Sequence, residues 1–322
     1  MENQTLREID NILGVINTHP EYRECIAREK RNALANDARK YSLALEREEG
    51  DRAHANLLKA EDYLNRYGLG VSTISRLGFL IEPERCRDGF RNVDPEFPNQ
   101  VIESDKFSKF VAHPPRAREV QSQVGNLLSY LNESEDHPVI RAAEAHLELC
   151  RIHPFAEGNG RASRILQNYC LVEKGYPIAI INDSERGLYY KLIQDALKER
   201  TNLKSSSLEN GDYDVIFHEF IASKVLSSAR DLRDFLESHR AYDIRISNPK
   251  DAGIIHSLAR RLRSRGKACG EGIKVSVNKT NHGKKGAVLR VIGDIGKDEV
   301  EGVLESCRDH RFRYNVEVLG CK

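Results

Sequence analysis

A mainly helical core followed by a small α+β module is the fold class this sequence predicts, and three observations predict it. The stretch Ala33–Glu49 is rich in Ala, Leu and Arg and holds no Gly or Pro, and helical patterns recur as far as His239. Near Arg240 the texture changes to short β-prone runs alternating with helical ones. Charge changes at the same place: Ala241 to Lys322 carry 17 Lys and Arg against 10 Asp and Glu, whereas the residues before them carry 33 against 39. Such asymmetry marks two modules with different surfaces. The expected division is N-terminal helices over 1–66, a helical core with a β-hairpin over 67–239, and a small basic α+β domain over 240–322.

The elements follow in order. A second helix over Ala53–Tyr67 stops at Gly68-Leu69-Gly70, and Ser72-Thr73 can cap a short helix through Gly78. From Asp88 to Pro115 the prolines break helices, while Phe90, Val93, Phe97, Val101, Ile102, Phe107, Phe110 and Val111 favour extended chain. A loop-rich segment with a short hairpin is expected there. Helices resume over Ala117–Asn132 and Pro138–Ile152, with Pro138 suited to a first helical turn. In the latter, Val139, Ala142, Ala143, His146, Leu147 and Cys150 form one apolar stripe. Arg161–Lys174, Glu185–Arg200 and Tyr213–His239 are further helices. Beyond them, Tyr242–Ser247, Ile273–Thr280, Ala287–Gly293 and Phe312–Leu319 read as strands. Pro249–Gly266 and Lys297–His310 read as helices, with a turn cluster at 281–286. The order β-α-β-β-α-β is that of a ferredoxin-like fold.

Composition excludes some classes. The 322 residues hold no apolar run near the roughly 18 that a membrane span needs. The N-terminus lacks the basic start and apolar stretch of a signal peptide. Seven cysteines (Cys25, Cys86, Cys150, Cys170, Cys269, Cys307, Cys321) are scattered without paired spacing, against a disulfide framework or a zinc site. Cytoplasmic residence is the expectation. The net charge of +1 identifies no partner.

The chemistry concentrates in His153-Pro154-Phe155-Ala156-Glu157-Gly158-Asn159-Gly160-Arg161-Ala162-Ser163-Arg164. Gly158, Asn159 and Gly160 precede a helix, so a tight backbone turn and free helix N–H groups form an anion cradle. Arg161 and Arg164 are three apart and share a helix face, with forks suited to phosphate oxygens. Glu157 beside them suits Mg2+, and a neutral His153 imidazole can take a proton from a hydroxyl. Phe155 is apolar and fixes the loop from the core. Each part alone is commonly structural. Together they fit transfer of a phosphorus group from a Mg2+-nucleotide to a hydroxyl.

This stretch resembles the Fic signature, His-x-Phe-x-(Asp/Glu)-Gly-Asn-Gly-Arg-x-x-Arg, with every fixed position filled. The resemblance extends over roughly 35–230 and implies an all-helical core with a β-hairpin flap. It further implies transfer of AMP from ATP to a Ser, Thr or Tyr hydroxyl of a target protein, with release of pyrophosphate. By match, His153 is the base and Glu157 binds Mg2+. Gly158, Asn159 and Gly160 form the anion hole, with Asn159 also on the α-phosphate side, and Arg161 and Arg164 hold the outer phosphates. Tyr189 and Tyr190 are either part of the adenosine pocket or aromatic packing at a helix start. The flap, within 91–115, would dock a target segment by strand addition. Many members also carry an inhibitory helix, (Ser/Thr)-x-x-x-Glu-(Gly/Asn), whose Glu pairs with the second signature arginine. Ser42-Leu43-Ala44-Leu45-Glu46 fits it, and the departures are Arg47 in place of Gly or Asn, then Glu48.

Several readings stay open at this stage. One is a Fic enzyme that removes AMP or moves another phosphorus group. Another is a non-catalytic nucleotide-binding module with a basic partner-binding tail. Self-AMPylation fits the transferase reading, and a homodimer is a further expectation. In the C-terminal module Arg260, Arg261, Arg263, Arg265, Lys267, Lys274, Lys279, Lys284, Lys285 and Arg290 face one acid, Glu271, over 256–290. Docking on a protein is favoured there over nucleic acid or another polyanion, since no exposed-aromatic RNA motif is present.

Overall fold

The computed structural model describes residues 4–17, 20–94, 100–104, 108–112, 114–202, 213–238, 240–247, 252–268, 274–279, 286–293, 295–306 and 313–319. At 20–26, 100–104, 108–112 and parts of the C-terminal elements only the backbone is described. The chain divides into two compact units, Met1–Asn11 with Ala33–Ala229, and Ile12–Asn32 with Arg230–Lys322.

Helices α1 (Gln4–Asn17), α2 (Pro20–Leu45), α3 (Asp51–Tyr67) and α4 (Val71–Ile81) come first. The hairpin β1 (Gln100–Ser104) and β2 (Ser108–Ala112) follows, paired antiparallel from Gln100↔Ala112 to Ser104↔Ser108. It lies within the expected flap segment, whose Phe97 and Phe107 fall outside the described residues. Helices α5 (Ala117–Glu133), α6 (Pro138–Ile152), α7 (Asn159–Glu173), α8 (Arg186–Asn202) and α9 (Tyr213–Ser238) complete the helical part.

The first unit is built as periodicity dictates. Leu57, Ala60 and Leu64 of α3 are buried at helical spacing, as are Ile74, Leu77 and Ile81 of α4. The expected stripe of α6 is the core face: Val139, Ala142, Ala143, His146 and Leu147 are buried and Cys150 is half-buried. Pro138 occupies the first turn of α6, and the His137 Nδ1 atom caps it by accepting from the Val139 N–H at 3.2 Å. Two of the boundaries that differ from the sequence reading bear on the site. Helix α7 starts at Asn159 rather than Arg161, because Gly158 takes the left-handed conformation (φ 80°) and serves as N-cap. Helix α2 ends at Leu45, so Glu46 stands in a turn and not on the helix.

In the second unit β3 (Arg240–Ser247), α10 (Ala252–Ala268), β4 (Lys274–Lys279), β5 (Gly286–Gly293), α11 (Lys297–Ser306) and β6 (Arg313–Leu319) make the βαββαβ order. The sheet order is β4-β5-β3-β6 with antiparallel neighbours, the ferredoxin-like arrangement that the sequence predicts. Alternation puts Tyr242, Ile244, Ile246, Leu289 and Val291 into a core with Leu258, Leu262, Val300 and Leu304 of the helices. Asp243 and Arg290 stand opposite each other on β3 and β5 and pair through two 2.7 Å bonds. Arg263 donates to the Val275 carbonyl at 2.5 Å and Arg261 to that of Ser306 at 3.4 Å, so part of the basic set is used inside the module. Lys284, Lys285 and Glu271 lie outside the described residues. No described helix is long and apolar enough to cross a membrane.

Candidate functional site

The signature occupies the connection between α6 and α7 and the first turns of α7. Phe155 is fully buried, and its ring lies so close to Gly78 of α4 that no Cβ fits there. The Asn159 side chain closes the loop: its Oδ1 accepts from the Phe155 N–H and its Nδ2 donates to the Phe155 carbonyl, both at 2.9 Å. The amide therefore braces the turn from within. A helix leaves its first N–H groups without intrahelical acceptors, and in α7 these belong to Asn159, Gly160 and Arg161.

His153 caps the C-terminus of α6 in the left-handed region (φ 49°, ψ 58°), a conformation that costs a non-glycine residue about 1 kcal/mol. Burial pushes its imidazole pKa down to about 4, against a backbone hydrogen bond at Cys150, and the Arg91 charge adds to the fall. The ring is neutral at physiological pH, as a proton acceptor requires.

Both signature arginines are buried and both meet carboxylates. Arg164 donates Nη2 to Glu46 Oε1 at 2.7 Å, Nε to Ser42 Oγ at 2.8 Å and Nη2 to the Ser42 carbonyl at 3.1 Å. Arg161 Nη1 lies 2.6 Å from Glu48 Oε2 and 2.6 Å from Glu82 Oε1. The Glu46 carboxylate also stands directly over Gly160, where a Cβ would collide with it. Burial works against the charged Glu46, yet Arg164, then Arg161 and the Tyr190 hydroxyl, hold its pKa below the usual carboxylate value. Glu48 goes the other way. Burial raises its pKa, and Glu82, Glu46 and Glu157 add to the rise against the pull of Arg161.

One turn delivers both carboxylates. The Arg47 N–H bonds to the Ala44 carbonyl and the Glu48 N–H to that of Leu43, each at 3.0 Å, which is a Schellman motif closing α2. Arg47 is its left-handed residue, with φ 57°. Glycine is favoured at that position because it has no Cβ to clash. Arg47→Gly is expected to stabilise the turn by about 1 kcal/mol. Thermal unfolding should show the gain.

Tyr189 is fully buried behind Arg164. Its hydroxyl accepts from Arg164 Nη1 at 3.0 Å and meets His146 Nε2 at 2.9 Å, while His146 Nδ1 meets Gln167 Oε1 at 2.8 Å. Burial, then the Arg164 charge, takes the His146 pKa down to about 3, so its neutral ring accepts from the tyrosine. Tyr190 is half-buried and donates to the Leu45 carbonyl at 3.2 Å, beside Arg186, which donates to the same carbonyl at 2.8 Å. The two tyrosines thus support Arg164 and the end of α2.

Known proteins resemble the chain over the same segment. The Fic/DOC family model matches residues 77–171, which span α4 to α7 and hold the whole loop. Over this segment the chain is similar to the Fic/DOC family. It is 42 % identical over 86 residues to a protein adenylyltransferase Fic of Aedes aegypti, covering 26 % of this chain and 17 % of that protein. It is 41 % identical over 145 residues to the protein of the same name from Culex quinquefasciatus, covering 42 % and 27 %. The chain therefore spans less than a third of these relatives' length. Among solved structures, a Fic-domain signalling protein of Bacteroides thetaiotaomicron matches with a TM-score of 0.55 at 16 % identity, over 73 % of this chain and 97 % of that one. A Fic family protein of Desulfovibrio desulfuricans matches with a TM-score of 0.51 at 15 % identity, over 100 % and 98 %. These structural likenesses establish the fold.

Three residues of this site escape sequence reasoning. Glu82 ends α4 without any motif around it. Glu48 is visible only as a departure from the inhibitory pattern. Arg91 bonds to backbone carbonyls, which leave no mark in a sequence. Glu157 is exposed next to Gly158, and the described residues contain no cluster of three or more metal-ligating side chains. An exposed carboxylate fits Mg2+, which keeps most of its waters and takes substrate oxygens.

Proposed function

We propose that this protein transfers AMP from Mg2+-ATP to a hydroxyl of a target protein and that its N-terminal segment holds it inhibited. The observation that carries the reading is a neutral His153 on the loop that leads into the α7 cradle, whose Arg164 is held by a carboxylate from outside the signature. A binding module has no need of a base.

The target oxygen attacks the α-phosphorus, the bond from that phosphorus to the bridging oxygen breaks, and pyrophosphate leaves. His153 takes the hydroxyl proton. The first N–H groups of α7 stabilise charge on the α-phosphate, and Arg164, once free of Glu46, takes an outer phosphate. Glu157 would hold Mg2+, which supplies charge neutralisation on the phosphates when bound. The β1–β2 hairpin presents an edge for an extended target segment, and the basic C-terminal module serves docking on a protein.

Inhibition comes from the α2 turn. Glu46, with Ser42 bound to the same guanidinium, takes the fork that a phosphate needs, and Glu48 does the same at Arg161. A carboxylate over the cradle can also orient a water, so removal of AMP from a modified protein is the second reading.

The test is incubation of the full chain with α-labelled ATP, Mg2+ and host lysate. An AMP adduct on a protein, the chain itself included, is the expected result. Tight ATP binding with no adduct would favour the binding module, and loss of AMP from a pre-modified protein would favour reversal.

A further inference from the structure

We propose that Arg91 is a positioning residue for His153, clamping the loop that carries the base to the foot of the hairpin. Arg91 is buried in the stretch between α4 and β1. Its Nε donates to the His153 carbonyl at 2.8 Å, and its Nη2 donates to the carbonyls of Pro115 and, at 3.5 Å, Ile152. Its backbone N–H donates to the Pro154 carbonyl at 2.8 Å, and the preceding Phe90 ring stacks on Phe155 at 5.9 Å. Two consecutive residues therefore grip the loop from 152 to 155 through side chain and backbone together.

The need for a clamp follows from the geometry of the loop. Helix α6 ends at Ile152, so its last carbonyls lack intrahelical donors and attract a cation. His153 then turns left-handed, which a histidine does not hold unaided. A planar fork with several donors suits carbonyls on diverging chains, and a lysine ammonium lacks that fixed geometry. Pro115 lies between β2 and α5, so the same guanidinium ties the base to the hairpin foot.

The charge has a second effect. The groups acting on His153 are Arg91 and Glu46, with the Cys150 backbone bond. Arg91 favours the neutral ring and Glu46 the charged one. Removing the Arg91 charge raises the pH at which the imidazole protonates.

The inference rests on His153 being the base, and the experiment separates the two. Full-length Arg91→Ala and Arg91→Lys are compared with the unchanged chain in ATP affinity, in kcat and KM for AMP transfer, in the pH–rate profile, and in the His153 imidazole titration by NMR. In Arg91→Ala, kcat should fall about 10- to 100-fold with ATP affinity changed less than threefold. The acid limb and the imidazole titration should both move to higher pH, and added guanidinium should restore part of the rate. Arg91→Lys keeps the charge, so its acid limb should stay in place while kcat still falls. Unchanged kcat in folded Arg91→Ala, or ATP affinity falling in step with kcat, overturns the inference. Should Arg91→Ala not fold, Arg91→Lys decides: the full rate of the unchanged chain overturns it. A chain that transfers nothing sinks the function reading alone. The NMR titration then still reports on Arg91, and an unmoved titration in the Ala variant refutes the contact.

Discussion

His153→Ala is expected to lower AMP transfer about 100- to 10,000-fold while leaving ATP binding nearly unchanged. In the proposed reaction the base touches the acceptor hydroxyl, whereas the nucleotide is held by the α7 N-terminus and the arginines. Label incorporation and calorimetry on the same preparation separate the two effects. Equal loss of binding would mean that the substitution had damaged the loop and not the chemistry. The pH dependence should carry the same signature. Burial depresses the His153 pKa from the ordinary 6.5 to about 4, so the acid limb of transfer should lie near pH 4. The unfolded chain takes up this proton first, so stability falls as pH drops from about 6.5 towards 4.

Glu46→Gly is expected to raise basal transfer about 10- to 100-fold, the range of one charge-assisted hydrogen bond of about 1.5–3 kcal/mol. The substitution frees Arg164 and clears the space over Gly160. It leaves Glu48 and Glu82 on Arg161, so Glu46→Gly with Glu48→Gln should exceed the single change. Labelling with His153 intact is the measurement, and a silent Glu46→Gly chain that still binds ATP would remove the inhibitory assignment. The two carboxylates also respond differently to acid. Glu46 has a lowered pKa, so its stabilising pair persists above the unfolded value and is lost only as pH falls through the lower folded value. Glu48 has a raised pKa and releases Arg161 first as pH falls.

The amphipathic stripe of α6 located the helix that ends at His153, and Pro138 located its start. The switch of pattern near Arg240 exposed the βαββαβ module because alternation of period two is itself the cause of its buried core. Gly158-Asn159-Gly160 announced the turn, since a left-handed N-cap needs glycine. Tyr189 was ambiguous for a physical reason: a tyrosine that lines a pocket and one that braces an arginine from behind look alike until its exposure is known.

The local arrangement of the site is determined by the sequence alone, because His153, Glu157, the glycine turn and both arginines lie within one stretch from His153 to Arg164 whose geometry follows from neighbouring residues. What those arginines face was decided only by the tertiary structure. Glu46 reaches Arg164 across 118 positions and Glu48 reaches Arg161 across 113. Arg91 braces His153 through backbone carbonyls that every residue possesses. Such contacts depend on how helices pack against each other, and no local pattern encodes which carboxylate a distant turn will deliver to a given guanidinium.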